Sequence, residues 1–162
     1  MQANAPSATT LSTPSSPLLG HYRGLLRRWN PFVDMAPADV DWFLARCEQR
    51  YLEPGEVLLQ PAQGPVDTLF LIRQGSVRSD QGPMGTSGSG FAYEAGEMLP
   101  VAAVLARRAV MSTYSAVDDV FVLAIAAADV EQLAQRSAPF ADFLNRRVQS
   151  LLEKSRHALR EN

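Results

Sequence analysis

The chain has 162 residues, 46% of them hydrophobic, which is long enough to bury one core and fits a single domain. A formal net charge of −2 and a pI near 5.7 argue against the basic face that nucleic-acid binding requires. One cysteine, Cys47, rules out an internal disulfide, and no run of about 18 apolar residues exists to span a membrane.

Residues 1–17 are mostly Ala, Ser, Thr and Pro, with a single leucine and no charged side chain. Such a tract buries too little surface to offset its ordering entropy, so we expect a disordered tail. It lacks the basic start and apolar middle of a secretory signal. Residues 18–36 begin apolar and basic (LLGHYRGLLRRW) and read as a helical lead-in weakened by Gly20 and Gly24. Arg23, Arg27 and Arg28 are few for a membrane-surface helix, and no membrane partner is expected.

Residues 37–160 carry the clear patterning. Pro37 suits a first helical position, and Val40, Phe43, Leu44 and Cys47 follow at helical spacing. The place of Cys47 on that apolar stripe points to a buried thiol in a reducing compartment, hence the cytoplasm. The period then shortens. Tyr51-Leu52, Val57–Leu59, Leu69–Ile72, Gly75–Val77, Phe91–Tyr93, Met111–Ala116 and Val120–Ile125 read as short strands between Gly/Pro turns, with a glycine-rich hairpin tip at 79–90. Strands at this spacing indicate a rolled antiparallel sheet.

Between them lies GEMLPVAAVLARRAVMSTYSA, residues 96–116. Pro100 suits the first turn of a short helix, which leaves the amides of Val101, Ala102 and Ala103 as donors for an anion. The alternative is a connecting helix that packs Leu99, Val101, Val104 and Leu105 into the core. Two helices close the chain. The first is expected over Asp129–Arg136. The second is capped by Ser137, with Pro139 in its first turn and Phe140, Phe143, Leu144, Val148, Leu151, Leu152 and Leu159 at helical spacing.

The order helix, Tyr-Leu-x-Pro-Gly-Glu, strand, Leu-Phe-Leu-Ile-Arg-Gln-Gly, Ala-Gly-Glu and a short helix resembles the cyclic-nucleotide-binding domain family. Pro54-Gly55-Glu56, Gly75 and Gly96-Glu97 are the most specific marks, and the likeness covers residues 32–160. It implies a mainly β fold: a jelly-roll-like antiparallel β-roll with an N-terminal helix and two C-terminal helices. Its insert, the phosphate-binding cassette, would grip cyclic AMP or cyclic GMP. More narrowly, LPVAAVLARRAVMSTYSAVDD and FADFLNRRVQSLLEKSRHAL look like the N-terminal sensor of bacterial signalling proteins that continue into a CBS pair and a nucleotidyltransferase-type module.

The departures are informative. The family cassette reads Phe-Gly-Glu-x-Ala-Leu-Leu and, a few residues on, Pro-Arg-x-Ala-Thr, with the glutamate on the ribose and the arginine on the phosphate. Laid on this chain without a gap, Leu99, Pro100 and Val101 take the Phe-Gly-Glu positions, and Val110 takes the arginine. Thr113 keeps the polar side chain near the phosphate, with Ser112 beside it. Each lost charge-assisted contact removes roughly 1.5–3 kcal/mol, so losing two weakens binding by about two to four orders of magnitude. Arg107 or Arg108 could turn inward as a substitute.

Catalysis finds little support. The two histidines, His21 and His157, lie near opposite ends of the chain, so neither a metal cluster nor a base for Ser112 or Ser115 is evident. Asp118-Asp119 and the pair Glu94 and Glu97 read as turn formers. The expectation is a non-catalytic sensor with a degenerate cassette and no cofactor, a weakly held cyclic nucleotide or other nucleotide excepted. It would relay its state through the last helix to a homodimer partner or a fused signalling module, with Val148, Leu151, Leu152 and Leu159 as the contact stripe. The alternatives are a working cyclic-nucleotide site built on Arg107 and Arg108, and a purely structural dimerisation domain.

Overall fold

A computed structural model describes residues 9–11, 16–80 and 90–160. Helix α1 (Ser16–Leu26) leads to α2 (Pro37–Arg46), with a 3-10 turn at Phe32–Asp34 between them. Pro37 starts α2 from a position where its missing N–H costs nothing, with Asp39 in the first turn and Arg46 in the last, matching the helix dipole. The helix buries Val40, Phe43 and Leu44, and Cys47 is buried just beyond it. Burial pushes the Cys47 thiol well above its ordinary range, so it stays protonated. Arg23 of α1 grips Asp41 of α2 through two hydrogen bonds, 2.6 Å from Nε and 2.9 Å from Nη2.

All strand pairs are antiparallel, and they form two sheets. One contains β1 (Thr9–Leu11), β2 (Glu48–Leu52), β9 (Val120–Ala126), β4 (Thr68–Gln74) and β7 (Met98–Leu99), in that spatial order. The other runs β3 (Val57–Leu59), β8 (Tyr114–Ala116), β5 (Val77–Ser79) and β6 (Ala92–Tyr93). At the centre of the first sheet, β4 is apolar and buried without alternation over Leu69–Ile72, and β9 is apolar throughout. Strands covered on both faces read this way. Helices α4 (Ala127–Arg136) and α5 (Ala138–Arg160) complete the roll. The Ser137 hydroxyl accepts the Phe140 N–H at 3.3 Å, the cap that the sequence announces. Phe32, Phe43 and Phe140 meet in turn as tilted pairs in the core, with ring centroids 4.9 and 6.5 Å apart.

The structure differs from the sequence reading in several places. Thr9–Leu11 fall in the stretch expected to be disordered, yet they pair in register with Gln49–Tyr51 of β2, and α1 starts at Ser16, inside the same stretch. The rest of residues 1–17 and most of the hairpin tip (81–89) lie outside the described residues. Met98–Leu99, read as part of the insert, form a strand on β4, and the last expected strand before Asp118 begins only at Tyr114. Leu105, expected in the core, is 38% exposed.

Candidate functional site

The insert after β7 is assembled by backbone geometry. Gly96 turns the chain with φ +93°, and a Cβ there would lie 2.8 Å from the Trp29 ring, so both conformation and packing require glycine. Gly96 N–H donates to the Ile72 carbonyl at 2.8 Å, and Ile72 N–H donates to the Glu97 carbonyl at 3.0 Å, fixing β7 against β4. Pro100 is not in the first turn as expected. It is the N-cap, with φ −93° and ψ 99°, and helix α3 (Val101–Ala106) begins one residue later. The first helical hydrogen bond runs from Val104 N–H to the Pro100 carbonyl at 3.0 Å. A helix of six residues gives little dipole to hold an anion, so the amides of Val101–Ala103 do not by themselves make a site.

Arg107 ends α3 in the left-handed conformation, φ 52° and ψ 48°. Its N–H bonds the Val104 carbonyl and the Arg108 N–H bonds that of Ala103, the paired closure of a Schellman motif. That turn separates the two arginines. The Arg107 guanidinium meets Glu131 of α4 at 3.0 Å and does not line the cavity. Both partners are about half exposed, so the pair adds at most about 1 kcal/mol. Arg108 does line the cavity, and its carbonyl accepts the Val66 N–H at 3.0 Å.

The cavity has a volume of about 120 Å³. Its apolar walls come from Met98, Leu99, Pro100, Val101, Ala103 and Val110, with Ala102 and Ala109 beside them. Val101 is 3% and Val110 5% exposed, so both aliphatic side chains are part of the wall. Ser112, buried, supplies a hydroxyl, whereas Thr113 stands outside: its N–H donates to Asp80 at 2.9 Å and its carbonyl accepts the Asp80 N–H. Gly96 and Glu97 also lie outside the wall.

Several wall residues were not singled out from sequence. Tyr93 of β6 and Tyr114 of β8 meet with ring centroids 5.8 Å apart, and burial raises both phenol pKa values, keeping them protonated donors. Ser79 and Phe91 close the end next to the hairpin, where the Ser79 hydroxyl accepts the Phe91 N–H at 2.8 Å. Helix α5 contributes Arg147 and Leu151, one turn apart. Arg147 also reaches Glu97 at 3.9 Å. Leu151, expected in the partner stripe, therefore sits on the cavity. Val148 packs half-buried on the core, Leu152 is 48% exposed, and the side chain of Leu159 lies outside the described residues.

The carboxylates read as turn formers hold turns: Asp118 accepts the Ser76 N–H at 2.9 Å, Asp119 accepts the Tyr51 hydroxyl, and Glu94 accepts the Ser76 hydroxyl at 3.2 Å. Among the described residues, no three His, Cys, Asp or Glu side chains are grouped to hold a metal, and no helix is long and apolar enough to cross a membrane.

No family model matches the sequence, and no curated protein matches it closely. Solved structures do match. PfPKA-R (141–441) with bound cAMP superposes with a TM-score of 0.73 at 18% identity, over 86% of this chain and 47% of that one. The sensor domain of the transcriptional regulator DNR from Pseudomonas aeruginosa gives 0.70 at 14% identity, over 85% and 93%. The regulatory subunit of a cAMP-independent protein kinase A from Trypanosoma cruzi, bound to guanosine, gives 0.71 at 14%, over 88% and 50%. The chain thus spans about half the length of these two kinase regulatory chains. These structures are regulatory or sensor proteins, and at these identities the likeness is one of fold: this chain has the β-roll and flanking helices of cyclic-nucleotide-binding domains.

Proposed function

We propose that this chain is a non-catalytic regulatory sensor domain whose cassette has lost tight binding of cyclic AMP and cyclic GMP. The observation that carries the reading is the buried aliphatic wall at Val101 and Val110. The resemblance places the ribose-binding glutamate and the phosphate-binding arginine at these two positions. Of the two arginines that could substitute, Arg107 is engaged with Glu131 and only Arg108 borders the cavity. The Trypanosoma cruzi subunit, named cAMP-independent and bound to guanosine, is a precedent for this fold without dependence on cAMP. Output runs through α5, because Arg147 and Leu151 place that helix on the cavity itself. The partner is a second copy or a fused signalling module, and the buried thiol of Cys47 suits the cytoplasm.

Titration calorimetry at about 0.1 mM protein should give no cyclic AMP or cyclic GMP binding tighter than about the millimolar range. A low-micromolar dissociation constant overturns the reading, and its loss in Arg108→Ala would then identify the working cyclic-nucleotide alternative. The double substitution Val101→Glu with Val110→Arg should tighten binding by about a hundredfold or more if the cassette backbone keeps its shape.

A further inference from the structure

The cavity presents cations at its rim and no carboxylate in its wall. Arg108 comes from the cassette and Arg147 from α5. Among the described residues Arg108 has no ion-pair partner, and Arg147 has Glu97 at 3.9 Å, too long for a direct hydrogen bond. Behind the cations the wall is aliphatic at Leu99, Val101 and Val110, with phenol and hydroxyl donors at Tyr93, Tyr114 and Ser112. The volume of about 120 Å³ sets the scale. An apolar cavity of about 150 Å³ holds one benzene molecule, so the enclosed part of this one fits a single ring or a branched chain.

We infer that this cavity binds a small apolar monocarboxylate of about the size of benzoate. The hydrocarbon part lies against the valines, and the carboxylate stands at the rim between Arg108 and Arg147. A planar, bidentate guanidinium suits a carboxylate, and the buried donors carry no negative charge to repel it. Leu151, one turn beyond Arg147, faces the same cavity, so occupancy and the seating of α5 are coupled. The inference rests on reading the cassette cavity as the ligand site of a sensor.

Calorimetry of the full chain with sodium benzoate, 3-methylbutanoate, benzamide, inorganic phosphate and cyclic AMP tests it. Benzoate should bind below about 1 mM, and uncharged benzamide at least about tenfold more weakly. Arg108→Ala and Arg147→Ala should each weaken benzoate about fivefold or more, and Glu97→Gln, which frees Arg147, should tighten it. Circular dichroism melts confirm that the variants fold. No benzoate binding at about 10 mM, equal binding of benzamide or phosphate, or indifference to both arginine substitutions overturns the assignment. Hydrogen exchange along α5 judges the sensor reading separately. Benzoate binding that leaves α5 exchange unchanged keeps the ligand and defeats the relay. Protection of α5 by another of these probes, without benzoate binding, does the reverse.

Discussion

Gly55 and Gly75 both hold left-handed backbone, φ +86° and +94°, in turns that look alike in sequence. Their surroundings differ. A Cβ on Gly55 would meet nothing within 4 Å, whereas one on Gly75 would lie 2.3 Å from the Asp119 carbonyl oxygen. That neighbour is backbone, pinned because Asp118 accepts the Ser76 N–H and Asp119 accepts the Tyr51 hydroxyl. Gly55→Ala should therefore cost only the conformational strain, about 1–2 kcal/mol. Gly75→Ala should cost more than about 3 kcal/mol, because the turn itself must move. Urea melts of the two variants check this, and equal losses would show that the Gly75 turn can relax. Surroundings also separate the adjacent arginines: Arg107 and Arg108 are equivalent as sequence, and one left-handed residue sends Arg107 to Glu131 and Arg108 to the cavity.

Helix α5 does two jobs along its length. Its first turns are core: Phe140 is fully buried against Phe43, and Leu144 is buried beside it. Further on, Arg147 and Leu151 border the cavity while Leu152 faces outward. Phe140→Ala should lower stability by about 3–5 kcal/mol, as expected for a phenyl removed from a packed interior. At a concentration low enough for the chain to be monomeric, Leu152→Glu should change it by less than about 0.5 kcal/mol. Thermal or urea unfolding of the two variants measures the contrast, and a large loss in Leu152→Glu would return the outer turns to the core. The amphipathic stripe seen in sequence is thus real but divided by depth. The first turns of α5 pack on Phe43 and α4, and the cassette helix packs against α5 as well.

For the whole molecule, the exposed Leu152, with Leu105 and Met111 also open to solvent at 38% and 46%, motivates self-association. Twofold pairing is the default symmetry for such a surface. Light scattering at about 0.1 mM should report a dimer, which Leu152→Glu converts to a folded monomer. A wild-type monomer at that concentration refutes self-association.

The roll itself was legible before any coordinates. Short apolar runs between Gly/Pro turns, Pro37 and Ser137 at helix starts, and the unbroken apolar centres of β4 and β9 are local patterns, and local patterns fix secondary structure. The strand at Thr9–Leu11 was not legible, because its polar residues gain a role only from the edge of β2. Nor was β7, whose two residues are extended because β4 offers them a ladder. The candidate site divided in the same way. Val101, Val110 and Arg108 were named from the order of residues in one segment, as were Pro100 and Ser112. Tyr93, Tyr114, Arg147 and Leu151 reach the same cavity from two strands and a helix far apart in the chain. Sequence periodicity reports neighbours within an element, and these side chains become neighbours only when β6, β8 and α5 close around the cassette. The sequence by itself therefore determined the roll and the aliphatic character of the insert after β7. The tertiary structure decided which cations remain at the cavity and what covers it.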